Sequence, residues 1–394
     1  MIIKKEKSGA GASGTFEKKQ GGNRLKVGLM SRALFVLVMV LIILAVVTMR
    51  DRTSYSSYAV DEDSVTVKTD NVSTYKSVGN YILRYSSDGA SLLEKNLTGR
   101  WNVTYDIDAP CSDECGTTVV IYDHNGTQVE IFDKNGSIGS FKTSSPIIKA
   151  RVSEAGNVAV LLSESDASVI RYYTASGSEI AAVSSTLKTN GYPLDFDLSP
   201  DGLYLMAAFA EIEGTSIGSR VNFYDFSSTG ASRQENLAAS ELFESTVVPE
   251  VYYLDDQTSV VIMDNGYAVY KGKEPALSKK VTFEESIISL VHDDDCLGFV
   301  FENENSDEPY VLKIYELSGN LRASVTVGIS YDRITMGNDQ IILNNDNELA
   351  IYSVRGNVRF EGTLDEGNIA YCLRTGNNRY LLVTNAKTET IHLK

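Results

Sequence analysis

The sequence is poor in the residues that enzymes use most. It has three histidines, four cysteines, one tryptophan and seven prolines among 394 positions. His124, His292 and His392 lie far apart, so no base-plus-orienter pair that could activate a nucleophile is visible. Of Cys111, Cys115, Cys296 and Cys372, only the first two are near neighbours. On one extended strand, four residues at about 3.3 Å each hold them about 13 Å apart, too far for a disulfide. They read as small buried hydrophobes. A zinc site from Cys111, Cys115 and His124 would lack a second ligand pair at finger-like spacing. Helical periodicity is scarce too: beyond residue 62 hardly a stretch repeats its apolar residues every three to four positions.

One long apolar run breaks the pattern. "ALFVLVMVLIILAVVTM" (33–49) carries no charge, proline or glycine. As a helix at about 1.5 Å per residue it covers most of a hydrocarbon core of about 30 Å. Leu29 and Met30 extend it, with Arg32 able to snorkel to the interface. No small-residue cleavage pattern follows directly, so the run reads as a retained anchor; Ser57-Tyr58-Ala59 is the nearest cleavage candidate. Eight Lys and Arg residues precede it, and only Arg50 and Arg52 follow closely. That asymmetry predicts a cytoplasmic N-terminus and an extracytoplasmic remainder. The tail 1–32, rich in Gly, Ser and Lys, has little to bury and reads as disordered. Its basic character suits an anionic leaflet. The rest of the chain is more acidic than the total of −16 and would repel a phosphate backbone, which excludes nucleic acid as a partner.

What is abundant is short β-rich runs bounded by Gly, Asn, Asp and Ser. The turns between the two most apolar runs of each unit fall at Asp88-Gly89, Asn125-Gly126, Ser165-Asp166, Glu213-Gly214, Asn265-Gly266, Ser306-Asp307, Asp346-Asn347 and Ala386-Lys387. Successive turns lie 37 to 52 residues apart, most of them near forty. Four strands per forty-residue unit predict an all-β, eight-bladed β-propeller over 63–394, with seven blades as the alternative. In one unit "IIKARVSEAG" leads in from the centre, "NVAVLLSES" and "SVIRYYTASG" follow, and "EIAAVSS" lies outside. "DFDLSPDGLYLMAAF" is the first-to-second strand turn of the next. Phe132, Tyr173, Tyr315 and Tyr352 precede a second family of turns and should pack between sheets. The last unit ends one strand short, while "SVTVKTD" (64–70) belongs to no unit. Donating it to the last blade closes the ring and removes two exposed edges. The predicted organisation is a tail (1–32), a transmembrane helix (33–49), a linker (50–62) and the propeller.

"NYILRYSSDGASLLEKN", "GYPLDFDLSPDGLYL" and "VLKIYELSGNL" resemble an uncharacterised Firmicutes family of single-pass membrane proteins with a WD40- or quinoprotein-like β-propeller ectodomain. The resemblance spans essentially the whole chain. It implies a bacterial surface protein and brings no catalytic residues. "APCSDECGTT" (109–118), with its cysteine pair, departs from the family's pattern.

Motifs that could carry chemistry are each explained better by turns. "GTSIG" (214–218) fits the serine-hydrolase elbow, but it sits inside a hairpin with no helix to follow, so Ser216 reads as a loop residue. Asp195, Asp197 and Asp201 resemble the start of a calcium loop; position twelve, which should be Glu, is Met206. "HDDDC" (292–296) and "NNDNE" (344–348) read as solvated acidic turns. Asn71, Asn96, Asn102, Asn125 and Asn135 open glycosylation tripeptides but read as turn asparagines in a bacterium. The single Trp101 and the lack of an adjacent cysteine pair argue against a quinone-dependent dehydrogenase, and tryptophan-bearing Asp boxes of sialidases are absent. No catalytic, cofactor-binding or metal-binding residue is singled out.

The expected function is therefore a membrane-anchored module that binds or scaffolds an envelope protein or glycan, with the bilayer engaged through 33–49. A tether of about a dozen residues reaches only about 20 Å, which keeps the ring near the membrane. The alternative is a cell-wall polysaccharide hydrolase or lyase. It would use two carboxylates at the funnel mouth, about 5–10 Å apart and flanked by aromatic rings.

Overall fold

The computed structural model describes residues 32, 34–42, 52–61, 67–68, 73–164, 167–185, 191–213, 216–304, 308–365 and 367–394. The chain divides into two units, Met1–Thr53 and Ser54–Lys394. In the first, residues 34–42 are helical with exposed apolar side chains. Among the described residues no helix is long and apolar enough to cross a membrane. Residues 1–31, 33 and 43–49, on which the predicted tail short of Arg32 and eight of the seventeen positions of the predicted span fall, lie outside the described residues.

The second unit is the predicted propeller. Eight antiparallel sheets are present among the described residues. We number the blades 1–8 in chain order, from the sheet that opens with Thr74–Val78 to the one that opens with Ile369–Arg374. The innermost strands of blades 2 to 7 are Pro110–Cys115, Ile147–Val152, Tyr192–Leu198, Glu250–Asp255, Ile287–His292 and Arg333–Gly337. The aligned turns at Asp88-Gly89, Asn125-Gly126, Asn265-Gly266, Asp346-Asn347 and Ala386-Lys387 fall between the second and third strands of a blade; Ser165-Asp166, Gly214 and Ser306-Asp307 lie outside the described residues.

Blade faces are apolar because each is sandwiched between neighbours. The buried apolar side chains form eight clusters, one at each seam between consecutive blades. The four aromatic residues singled out before the third-to-outer turns sit in these seams. Phe132 stacks on Trp101 with centroids 5.1 Å apart, and Tyr173 meets Phe141 at 4.8 Å. Tyr315 packs into the blade 5–6 cluster and Tyr352 is fully buried between blades 6 and 7. The outer strand shifts register by a bulge beside this position in every one of blades 1 to 7, which turns the side chain, Leu93 in blade 1 and an aromatic ring in the other six, into the seam.

Ring closure follows the prediction and extends it. Val67–Lys68 pairs with Lys387–Leu393 of blade 8, as expected for 64–70. Tyr58–Val60, assigned by sequence to the linker, pairs with the same strand, Tyr58 opposite Leu393. The linker boundary at residue 62 is corrected accordingly. Tyr58 packs its ring edge-on against Phe360 at 6.4 Å, and its hydroxyl accepts from the Asp365 amide at 2.9 Å. A segment with such anchors is no free tether.

The Ser-Pro-Asp-Gly turn shows how blades interlock. Ser199 Oγ donates to Asp201 Oδ1 at 2.6 Å and accepts from the Tyr204 amide at 2.9 Å. Gly202 has φ +69°, and a Cβ there would fall 2.9–3.0 Å from Ser153, Asn157 and Tyr172 of blade 3. Only glycine lets this turn of blade 4 nest on its neighbour.

Candidate binding site at the ring axis

The innermost strand of a propeller blade has a partner on one side only, so half its backbone groups face the axis and need satisfaction there. Blades 2 to 5 solve this with charged side chains from those same strands. Asp113 accepts from the Val152 amide at 2.9 Å, Asp195 from Val251 at 3.0 Å and Asp197 from Tyr253 at 2.7 Å. Arg151 Nε donates to the Phe196 carbonyl at 3.2 Å. The remaining carboxylate oxygens meet cations: Lys149 with Asp195 at 2.5 Å and Arg151 with Asp113 at 2.7 Å. Arg151 also lies 3.6 Å from Asp195 and 3.9 Å from Asp197. Each carboxylate thus ties one inner strand to the next.

Three aspartates surround one arginine, and Asp195 is 1% exposed. Burial pushes the Asp197 carboxyl up to about 7, Arg151 only partly opposing it. Burial alone would lower Arg151, but Asp113, Asp197 and Asp195 hold it well above its ordinary value. Lys76 of blade 1 pairs with Glu114 of blade 2 and extends the network to the neighbouring inner strand. His292 of blade 6 stacks on Tyr252 with centroids 3.7 Å apart and planes 8° from parallel. Burial, and then the Arg151 charge, pull this imidazole down to about 4, so it is neutral at pH 7.

Blades 6, 7, 8 and 1 leave a cavity of about 430 Å³ on the other side of the axis, with Glu114, Glu250 and His292 at its border. Arg333, Tyr371 and Arg374 line it together with Thr74, Thr335 and Met336. The Arg333 guanidinium lies over the Tyr371 ring at 4.2 Å, and Tyr371 meets Tyr75 at 5.9 Å. Arg374 Nε donates to the Gly376 carbonyl at 2.9 Å, and its Nη1 to the carbonyl of Asn338. Asn338 and Asp339 both have positive φ, +52° and +61°, as a two-residue type I′ hairpin turn requires.

The site offers cations and apolar contacts more readily than acid–base chemistry. Glu114 and Glu250 are the carboxyl groups at the cavity, and Tyr75 and Tyr371 the aromatic rings. Burial pushes both carboxyls above their usual range. A hydrolase needs the two pKa values driven apart, one group protonated and one ionised. Here both move the same way, and Glu114 is held by Lys76.

The residues singled out by sequence are not brought together. Asp195 and Asp197 hold backbone amides, and Asp201 caps its own turn. Asp293 accepts from the Asp295 and Cys296 amides, and Asn345 from Asn347 and Glu348. Ser216 opens the third strand of blade 4, Ser216–Asp225, so a strand and not a helix runs on from it. Cys111 and Cys115 share Pro110–Cys115 as free thiols, and burial raises Cys115 to about 12. His124 Nδ1 is 3.0 Å from the Ile148 carbonyl. Among the described residues no three His, Cys, Asp or Glu side chains are placed to hold a metal ion. Asn102, expected in a turn, lies in the outer strand Gly99–Thr104, and Asn71 is outside the described residues. The axial set itself was missed. Aligning the first strands of the units ("KSV", "SDEC", "KARV", "DFDL") would have shown charges recurring where the other strands are apolar.

Residues 50–393 match the model of a family of unknown function, DUF5711. The chain belongs to that family. No curated protein matches its sequence significantly. Solved structures share the fold of this DUF5711 member at low identity. BamB from Moraxella catarrhalis is 11% identical, with a TM-score of 0.50, covering 86% of this chain and 100% of that one. Sqt1 from Saccharomyces cerevisiae is 11% identical, with a TM-score of 0.53, covering 87% and 100%. Sqt1 from Chaetomium thermophilum, solved bound to the N-terminus of ribosomal protein L10, is 13% identical, with a TM-score of 0.52, covering 85% and 100%.

Proposed function

We propose that this protein is a membrane-anchored, extracytoplasmic β-propeller that binds a protein of the bacterial cell envelope. The observation that carries the binding role is the division of the axis. The carboxylates of blades 2 and 4 are committed to holding strands together, while a cavity lined by Arg333 and Arg374, which meet no carboxylate among the described residues, faces the other blades. A protein ligand is supported by the Sqt1 structure, a ring of the same fold that carries a protein terminus. The anchor and its orientation rest on the apolar run 33–49 and on the excess of Lys and Arg before it.

Crosslinking the full-length protein in native membranes, followed by its purification, tests the reading. It should recover one envelope protein reproducibly; recovery of none would overturn the binding role. Alkaline carbonate should leave the protein in the membrane pellet, and protease added outside intact spheroplasts should digest the part after residue 50. Release by carbonate, or protection from the protease, would overturn the anchor.

A further inference from the structure

We propose that the axial cavity bordered by blades 6, 7, 8 and 1 binds a carboxylate of a partner-protein segment through Arg333 and Arg374. This rests on the protein-binding reading above and names what that partner presents. Arg100, Arg151, Arg171, Arg220, Arg233 and Arg322 each meet a carboxylate within 4 Å. In a chain with 52 acidic residues such pairing is easily met. Arg333 and Arg374 meet no carboxylate among the described residues, and both line the same cavity. Arg374 donates to two neutral carbonyls, those of Gly376 and Asn338, so its charge is not neutralised. The Arg333 guanidinium carbon lies 4.2 Å from the Tyr371 ring centroid, a contact that holds the group at the cavity wall without neutralising its charge. Two such guanidiniums suit a carboxylate, which accepts paired N–H bonds from each.

The acidic body does not prevent this. Exposed charges farther away than about 8 Å are largely screened at physiological salt, so the local groups decide the field. At the cavity Lys76 offsets Glu114, and Glu250 is the one acid set against the two arginines. Leu290, Met336 and Leu373 add apolar surface beside the arginines. That combination fits an apolar side chain next to a carboxylate, as in a peptide, better than the hydroxyl-rich face of a sugar. A volume of about 430 Å³ is in the range of small-ligand sites, about 300–1,000 Å³. It therefore takes a chain end or one bend of a segment.

The test uses immobilised full-length protein and two pools of randomised heptapeptides, one with free C-terminal carboxylates and one amidated, read by mass spectrometry. The protein should enrich carboxylate-bearing peptides. Enrichment from the free-acid pool alone assigns the contact to a chain terminus, and enrichment from both pools to Asp or Glu side chains; either supports the proposal. Arg333→Gln should weaken the best peptide about tenfold or more, and Arg374→Gln comparably. Arg322→Gln, away from the cavity, should leave it unchanged. Because Arg374 also holds the Asn338 turn, Arg333→Gln with an unchanged melting temperature is the deciding variant. The proposal is overturned if no peptide is enriched over that variant, if the enriched peptides lack carboxylates, or if an oligogalacturonate binds through Arg333 and peptides do not. Should the membrane crosslinking recover a partner equally well with Arg333→Gln, this site fails while the broader reading stands. Should it recover none although peptides are selected, the converse holds.

Discussion

The two halves of the axis use the same residue types to opposite ends. Between blades 2 and 5, Arg151 is enclosed by Asp113, Asp195 and Asp197, and the aspartates cap the amides of neighbouring inner strands. On the side of blades 7 and 8, Arg333 and Arg374 touch a ring and two carbonyls and leave space beside them. A guanidinium enclosed by acids is a fastener, because its removal strands buried charge. A guanidinium at a cavity wall is a recognition group, because its removal strands no opposite charge. The local partners, and not the residue type, decide which it is.

Stability measurements can break this comparison. Arg151→Leu should have the largest effect, a loss of about 3–5 kcal/mol in chemical denaturation, since three aspartates lose their shared cation. A loss below about 1 kcal/mol would show that the network is ornamental. Asp197→Asn should act through pH. The folded-state pKa of about 7 lies above the ordinary 3.8, so between these values the native state holds a proton that the unfolded chain has lost. The wild type should therefore lose stability as pH rises from about 4 to 7, by at most about 4 kcal/mol, and stay level above. The Asn variant should lack that slope, which parallel denaturant titrations would reveal. His292 runs the other way: with its pKa lowered to about 4, it costs stability as pH falls below about 6.5. The difference between the Asp197 variant and wild type isolates the carboxyl.

On the cavity side the effects should be smaller. Tyr371→Ala removes the contacts with Arg333 and Tyr75 and should cost about 1–2 kcal/mol. Arg333→Gln should change stability by less than about 0.5 kcal/mol, seen as an almost unmoved thermal midpoint. If Arg333→Gln proved as costly as Arg151→Leu, the division of the axis into a fastened and a free half would fail.

Much of the ring was legible because its signals are local. Turn residues such as Asn265-Gly266 and Ser199-Pro200-Asp201-Gly202 punctuate each unit, and apolar strands flanked by them repeat near forty residues. The seam aromatics Phe132, Tyr173, Tyr315 and Tyr352 stand at a constant offset from such a turn, so their burial could be read in advance. Closure by Val67–Lys68 was legible as a missing strand, whereas Tyr58–Val60 was not. Its pairing partner, Ile391–Leu393, lies more than 300 positions away, and "YAV" is too short to announce a strand. The axial site was the least legible part, since Lys76, Glu114, Arg151, Arg333 and Arg374 come from five separate blades.

By itself the sequence determined the number of units, the strand and turn order within each, and the single apolar run near the N-terminus. These depend on neighbours within a few dozen residues, where turn propensity and apolar patterning act. Only the tertiary structure decided which charges became fasteners and which stayed free. Closing the ring brings side chains from distant units to one axis, and whether an arginine meets acids or open space there depends on the register of all eight blades.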